Sequence, residues 1–189
     1  MAEAGAGFRH ETERLILRDW REEDWPEFWE GTNTPTVARW VGGVLGEAAM
    51  AEGRAKLERY ARDYAHTFWC VERKEDGAIL GFCGLKRCTD EEGPLGEMEA
   101  GWRFREDAWG KGYAKEAATA SLELAFGRFG AEQVIAMTLK GNRPSWGLML
   151  RLGMKRREDL DWDDPTWELD DPRVIVYAIT RQEWRARDV

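Results

Sequence analysis

The residues best suited to chemistry lie where a strand-like run carrying Glu97 and Glu99 leads into the turn Ala108-Trp109-Gly110-Lys111-Gly112-Tyr113-Ala114. Gly110 and Gly112 have no Cβ, so the backbone there can approach a ligand closely and adopt unusual dihedrals. The turn opens a helix, whose first amide N–H groups have no partners within the helix and attract an anion. Consecutive amides in such a turn are able to cradle a pyrophosphate. The spacing is not that of a nucleoside-triphosphatase loop, and it lacks the three glycines of a dinucleotide fingerprint. A plain strand-to-helix joint is the alternative reading.

Other reactive side chains are few. Cys70, Cys83 and Cys88 make an odd count with no paired short spacing of the metal-binding kind, and no metal is expected. Cys70 and Cys83 lie in apolar runs, which suits buried free thiols in a reducing compartment. As acyl-carrying nucleophiles, Cys83 and Cys88 have no suitable histidine nearby in sequence. His66 precedes a strand, where a capping role is favoured over that of a base, and His10 falls in an expected flexible tail over residues 1–10. Of the 11 tryptophans, most are expected in the core or in cleft walls. Trp40, Trp162 and Trp167 are the set that would line an acceptor pocket for a cationic or aromatic amine.

These residues need elements to position them. Residues 12–18 alternate as a half-buried first strand. Glu22, Glu23 and Asp24 before Pro26 open a helix that Gly31 is expected to stop. Residues 32–46 read as a loop and Glu47–Tyr64 as a second helix with Ala, Met, Leu and Tyr on one face. Residues 67–72 and 79–85 form a hairpin across Asp76-Gly77, and Gly81 and Gly84 mark a bulge or close backbone approach. A strand over 97–104 follows. From Gly112, Ala114, Ala118, Leu122, Ala125 and Phe129 keep the period of a buried helical stripe, with Gly130 as its stop. A strand over Gln133–Leu139, a short helix over 144–152, a strand starting at 154–157 and a last strand over 174–180 complete the chain. The acidic stretch 159–171 is read as a loop. The order is that of a mixed α/β (α+β) protein with a mainly antiparallel sheet.

One domain over residues 1–189 is expected from the length. The hydrophobic fraction of 43% and charged fraction of 34% describe a soluble globular chain. No apolar run approaches the roughly eighteen residues of a membrane span, and the start does not resemble a signal peptide, so the expected place is the cytoplasm. The net charge of −8 argues against nucleic acid as a partner and allows steering of a cationic substrate.

The chain resembles the GNAT superfamily of acyl-coenzyme A N-acyltransferases, in particular the branch similar to the ribosomal-protein N-terminal acetyltransferases. The resemblance runs from about Thr12 to Trp184. It rests on Glu99-Ala100-Gly101-Trp102 followed by residues 109–117, and on Asn142-Arg143-Pro144-Ser145 before Leu152-Gly153-Met154. It implies a sheet splayed between the fourth and fifth strands, with acetyl-coenzyme A as co-substrate in the cleft. The backbone of Trp109, Gly110, Lys111, Gly112, Tyr113 and Ala114 would hold the pyrophosphate, and Trp102 and Phe104 would flank the pantetheine. Asn142 would bond the pantetheine arm and Ser145 would lie near the thioester sulfur.

The implied reaction is direct attack of a neutral primary amine, of a small molecule or a peptide N-terminus, on the thioester. Glu99 matches the family's acidic position as a base through water, with Glu97 second; a structural carboxylate is the alternative for each. Ser145 is the candidate for protonating the sulfur, against a plain helix-start hydroxyl. Leu148, Met149 and Leu150 stand where many relatives have a tyrosine, and Trp109 replaces the usual Gln or Arg. The missing tyrosine motivates a rival reading, a non-catalytic acyl-coenzyme A sensor; a protein-interaction module is a third. The sequence leaves monomer and homodimer both open.

Overall fold

The computed structural model describes residues 7–164, 166 and 172–187. In chain order the elements are β1 (Arg9–Glu11), β2 (Leu15–Arg18), α1 (Asp24–Thr32), α2 (Pro35–Ala38), α3 (Glu47–Tyr64), β3 (Phe68–Arg73), β4 (Ile79–Arg87) and β5 (Met98–Phe104). Then come α4 (Tyr113–Phe126), β6 (Gln133–Leu139), α5 (Arg143–Arg151), β7 (Lys155–Arg156), β8 (Trp162–Asp163), β9 (Arg173–Thr180) and α6 (Arg181–Arg185). The strands join in one sheet of order β1-β2-β3-β4-β5-β6-β9-β7, with β8 also on β9.

Every pairing is antiparallel except β5 with β6, which run parallel and meet at one pair, Glu99 with Ile135. Beyond that pair the two strands part toward Phe104 and Leu139. The α4 crossover between them covers one face. Its small side chains Ala117, Ala118 and Ala125 let the helix sit close on Leu85, Ala100 and Val134 in the main core. On the other face Trp25 and Phe28 of α1 pack with Cys70 and Ile79. Two glycines in β4 make the close approaches their positions suggest. A Cβ at Gly81 would stand 2.0 Å from the Arg103 carbonyl, and one at Gly84 would stand 2.1 Å from that of Thr67.

Several expectations need correction. The expected first strand is a hairpin, and residues 7–10 are not a loose tail. His10 pairs with Leu17, and Phe8 stacks on Trp69 with ring centroids 4.1 Å apart. All of β2 is buried, including the expected polar side, because Ile16 and Arg18 are covered as well. Helix α1 runs through Gly31, where a side chain would meet Arg105 Cβ at 3.2 Å, so the glycine serves close packing rather than a stop. The expected loop 32–46 contains α2, capped by the Thr34 hydroxyl accepting from the Val37 amide at 3.3 Å with Pro35 in its first turn.

Helix α3 fully buries only Tyr60, while Met50, Leu57 and Ala61 of its expected apolar face are half-buried, Leu57 against the Trp25 and Phe28 cluster. Helix α4 ends at Gly127 rather than Gly130. Two further elements were not foreseen: β8 inside the acidic stretch, and α6, opened by a capping box between Thr180 and Glu183. Among the described residues no helix is long and apolar enough to cross a membrane.

Candidate active site

Parting of β5 from β6 opens a cleft of about 970 Å³, within the ordinary range for small-molecule sites. Its floor is the end of β5, with Trp102, Arg103 and Phe104. The loop before α4, the start of α5 and the α2 segment form its walls.

The loop is shaped by its two glycines, with φ of 71° at Gly110 and 83° at Gly112, both in the left-handed region. Side chains then fix it from outside. The Trp109 indole donates to the Phe104 carbonyl at 2.9 Å, and Arg14 Nη1 donates to the Lys111 carbonyl at 2.9 Å. Glu116 in the first turn of α4 accepts from the Thr12 hydroxyl at 2.6 Å, and from the Arg14 amide and Nε at 2.7 Å each. Burial pushes the Glu116 carboxyl up, but these bonds outweigh it and hold it below the usual range. Among the described residues no hydrogen bond uses the amide N–H groups of residues 110–115. The result is a row of free donors at a helix start.

Across the cleft, Asn142 donates from Nδ2 to the Thr138 hydroxyl at 2.9 Å, and its carbonyl accepts from the Ser145 amide at 3.1 Å. Ser145 and Leu148 face the space. Trp40 closes the third side, reaching so near Gly141 that a Cβ there would meet the ring at 3.0 Å.

Of the sequence-derived site residues, Trp102, Phe104, Trp109, Gly110, Gly112, Tyr113, Ala114, Asn142 and Ser145 meet at this cleft. Lys111 does not line it and is exposed. Neither Glu97 nor Glu99 lines it. Glu97 precedes β5 with its Oε2 3.5 Å from Gln133 Nε2, at the closed end of the β5–β6 seam, so the structure does not bring it to the cleft. Glu99 sits at the point where the strands part, buried, with Lys86 Nζ 2.9 Å from its Oε2. Burial pushes its carboxyl above the usual range while Lys86 pulls it back. Cys88, Asp90 and Glu99 gather within 4.8 Å, but the Lys86 ammonium already supplies the cation there.

The thiols are free and buried and none lines the cleft; burial pushes Cys83 up to about 12 and Cys88 up to about 11. That disfavours a thiolate nucleophile. His66 is no cap: Ala65 ends α3, and the buried His66 donates from Nδ1 to the Leu85 carbonyl at 3.0 Å. Of the three tryptophans assigned to an acceptor pocket, Trp40 lines the cleft. Trp162 instead packs against Cys88, Ile135 and Val176, and Trp167 lies outside the described residues.

Sequence reasoning missed four cations on the walls, Arg39, Arg103, Lys115 and Arg151. Among the described residues no Asp, Glu or His lines the cleft, so local charge does not follow the net negative charge of the chain. The alternation of β5 was a usable signal for Arg103, which it places opposite Trp102 and Phe104.

Residues 14–155 match the family described as acetyltransferase (GNAT) domain. The uncharacterized N-acetyltransferase YnaD of Bacillus subtilis is 29% identical over 178 residues, covering 92% of this chain and 97% of that protein. The FsC-acetyl coenzyme A-N(2)-transacetylase of Aspergillus fumigatus is 31% identical over 115 residues, 58% of this chain and 48% of that protein. Among solved structures, a GNAT-family acetyltransferase from Bacillus anthracis aligns with a TM-score of 0.77 at 24% identity, covering 93% of this chain and 99% of that one.

Proposed function

The chain belongs to the GNAT acetyltransferase family and is an acyltransferase, and from that premise we propose that it moves an acetyl group from acetyl-coenzyme A to a primary amine by direct attack. The observation that carries this reading is the row of unused amides over residues 110–115, opening onto a cleft large enough for a coenzyme. Bound there, acetyl-coenzyme A supplies the acyl group as an activated thioester.

The residues divide the work. The amides of residues 110–114 hold the pyrophosphate, the Trp109 amide being already engaged with the Glu106 carbonyl at 3.0 Å, and the glycines keep side chains out of its way. Trp102 and Phe104 flank the pantetheine arm, with Asn142 within the same walls. The exposed Lys111 contributes its backbone rather than its side chain. A neutral amine attacks the carbonyl carbon, the carbon–sulfur bond breaks, the amine loses a proton and the sulfur gains one. Ser145, which lines the wall, is our candidate donor of that second proton.

Among the described residues no acid or imidazole lines the cleft, and we route the amine proton out through water. Glu99 is the acceptor we favour. Its buried position and raised carboxyl suit a base working nearer neutrality than an exposed glutamate.

Thiol release from acetyl-coenzyme A over a broad amine panel tests the reading. Wild-type protein is expected to release thiol with at least one primary amine. Glu99→Gln is expected to lower kcat by about 100-fold, leave KM for acetyl-coenzyme A unchanged and flatten the acid limb of the pH profile. A thermal melt of the variant separates this from unfolding caused by the unpaired Lys86. Undiminished kcat would remove Glu99 from the mechanism. Binding of coenzyme A without turnover of any amine would favour the sensor reading.

A further inference from the structure

Arg103 is a buried cation without an anion. It is 8% exposed, yet no ion pair involves it among the described residues. One nitrogen is satisfied: Nη2 donates to the Thr32 carbonyl at 2.7 Å. Nε is buried with no hydrogen-bond partner. The guanidinium lies 5.9 Å from the Phe28 ring centroid and 5.8 Å from that of Trp29, contacts that offset part of the cost of burying it. The rest stands uncompensated, and burial alone pulls Arg103 down to about 10.

Its direction matters as much as its charge. Trp102 and Phe104 pack with the α4 core, on the side where the loop amides sit. Arg103 points to the opposite face, toward α1, and lines the cleft beside Val37, Arg39 and Trp40. Arg39 is a second cation on that wall, its guanidinium 4.7 Å from the Trp40 ring centroid.

We infer that Arg103 is the receptor for a carboxylate on the acceptor, so that the amine acetylated here is an amino carboxylate rather than a polycation or a peptide N-terminus. The inference rests on the acetyl-transfer reading of the same cleft. A planar guanidinium with free donors matches a carboxylate in a two-pronged contact. A protein that keeps such a charge unpaired until substrate arrives gives up stability for recognition. A polycationic acceptor would instead meet Arg39 and Arg103 as like charges.

The test uses α-, β- and γ-amino carboxylates, each matched with its carboxamide, with thiol release read for wild type, Arg103→Met and Arg103→Lys. Wild type is expected to prefer at least one carboxylate over its carboxamide by about 100-fold in kcat/KM, the scale of a hydrogen-bonded charge. Arg103→Met is expected to lose that preference, with the carboxamide rate changed less than about threefold and KM for acetyl-coenzyme A unchanged. Its thermal midpoint stays level or rises, because an unpaired buried charge has gone. Arg103→Lys keeps an intermediate preference.

Carboxamides used as well as carboxylates, or a phosphate-bearing amine preferred to every carboxylate, would overturn the inference. So would a raised KM for acetyl-coenzyme A in Arg103→Met, which assigns the residue to the coenzyme. A marked drop in its midpoint with both acceptor classes equally affected assigns it to the fold. If simple amines react and no carboxylate does, the inference falls and acetyl transfer stands. If no amine of any class releases thiol, both fall.

Discussion

Replacing Gly110 with aspartate is expected to weaken acetyl-coenzyme A binding by about 100-fold, while asparagine at the same place costs less than about tenfold. The two side chains have nearly the same shape. Gly110 has a φ of 71°, and a Cβ built there finds nothing within 4 Å. Asn and Asp both tolerate the left-handed region better than most residues, so either variant folds at a modest backbone cost. They differ in one negative charge. Placed about 5 Å from a phosphate at an effective dielectric near 20, that charge is worth about 3 kcal/mol of repulsion. The KM for acetyl-coenzyme A reads the difference. Equal losses in the two variants would mean that the loop amides do not face a phosphate.

The second large effect is on stability. Arg18→Met is expected to cost about 3–5 kcal/mol, because it removes the cation from a buried network and leaves the acids unpaired. Arg18 donates to both Asp24 oxygens at 2.7 and 2.8 Å, and to Glu72 at 2.6 Å. The Arg18 and Asp24 side chains are 5% and 4% exposed. For a chain of this size that loss corresponds to a fall of about 10 °C in the thermal midpoint.

The pH dependence carries the same signature. Burial pushes the Asp24 carboxyl up, but Arg18 and the Arg21 amide outweigh it and hold it below the usual range. A carboxyl depressed in the folded state stabilises above its unfolded value and loses that contribution as pH falls through its folded value. Wild-type stability is therefore expected to decline below about pH 4. In Arg18→Met burial acts on Asp24 without the arginine, so Asp24 no longer adds to the acid decline and the gap in stability from wild type narrows as pH falls. A midpoint within about 2 °C of wild type, or an unchanged acid limb, would show that the network contributes little.

Much of the frame was legible because its signals are local. Gly110 and Gly112 declared a backbone turn, and the Asp76-Gly77 pair declared a hairpin. Gly81 and Gly84 marked the approaches that β4 makes to its neighbours. Thr34-Pro35 is also a helix start in plain view, a capping hydroxyl before a first-turn proline, and only the glycines around it hid α2. What sequence could not supply was set by contacts across the sheet. Glu99 read as an open carboxylate, and its pairing with Lys86 across the strands was not visible in the chain order. Glu97 fell at the closed end of the seam because β5 begins one residue later. The isolation of Arg103 is a property of what surrounds it, namely Phe28, Trp29 and the Thr32 carbonyl. None of these is near it in the chain. Net charge misled for the same reason: among the described residues the cleft wall carries cations and no acid.

The central claim is that the loop before α4 holds the pyrophosphate of acetyl-coenzyme A, and a calorimetric titration of wild-type protein tests it most directly. Acetyl-coenzyme A is expected to bind at one site, and acetyl-pantetheine, which lacks the phosphates, to bind about 100-fold or more weakly. Equal affinity for the two, or no binding of acetyl-coenzyme A, would contradict the account.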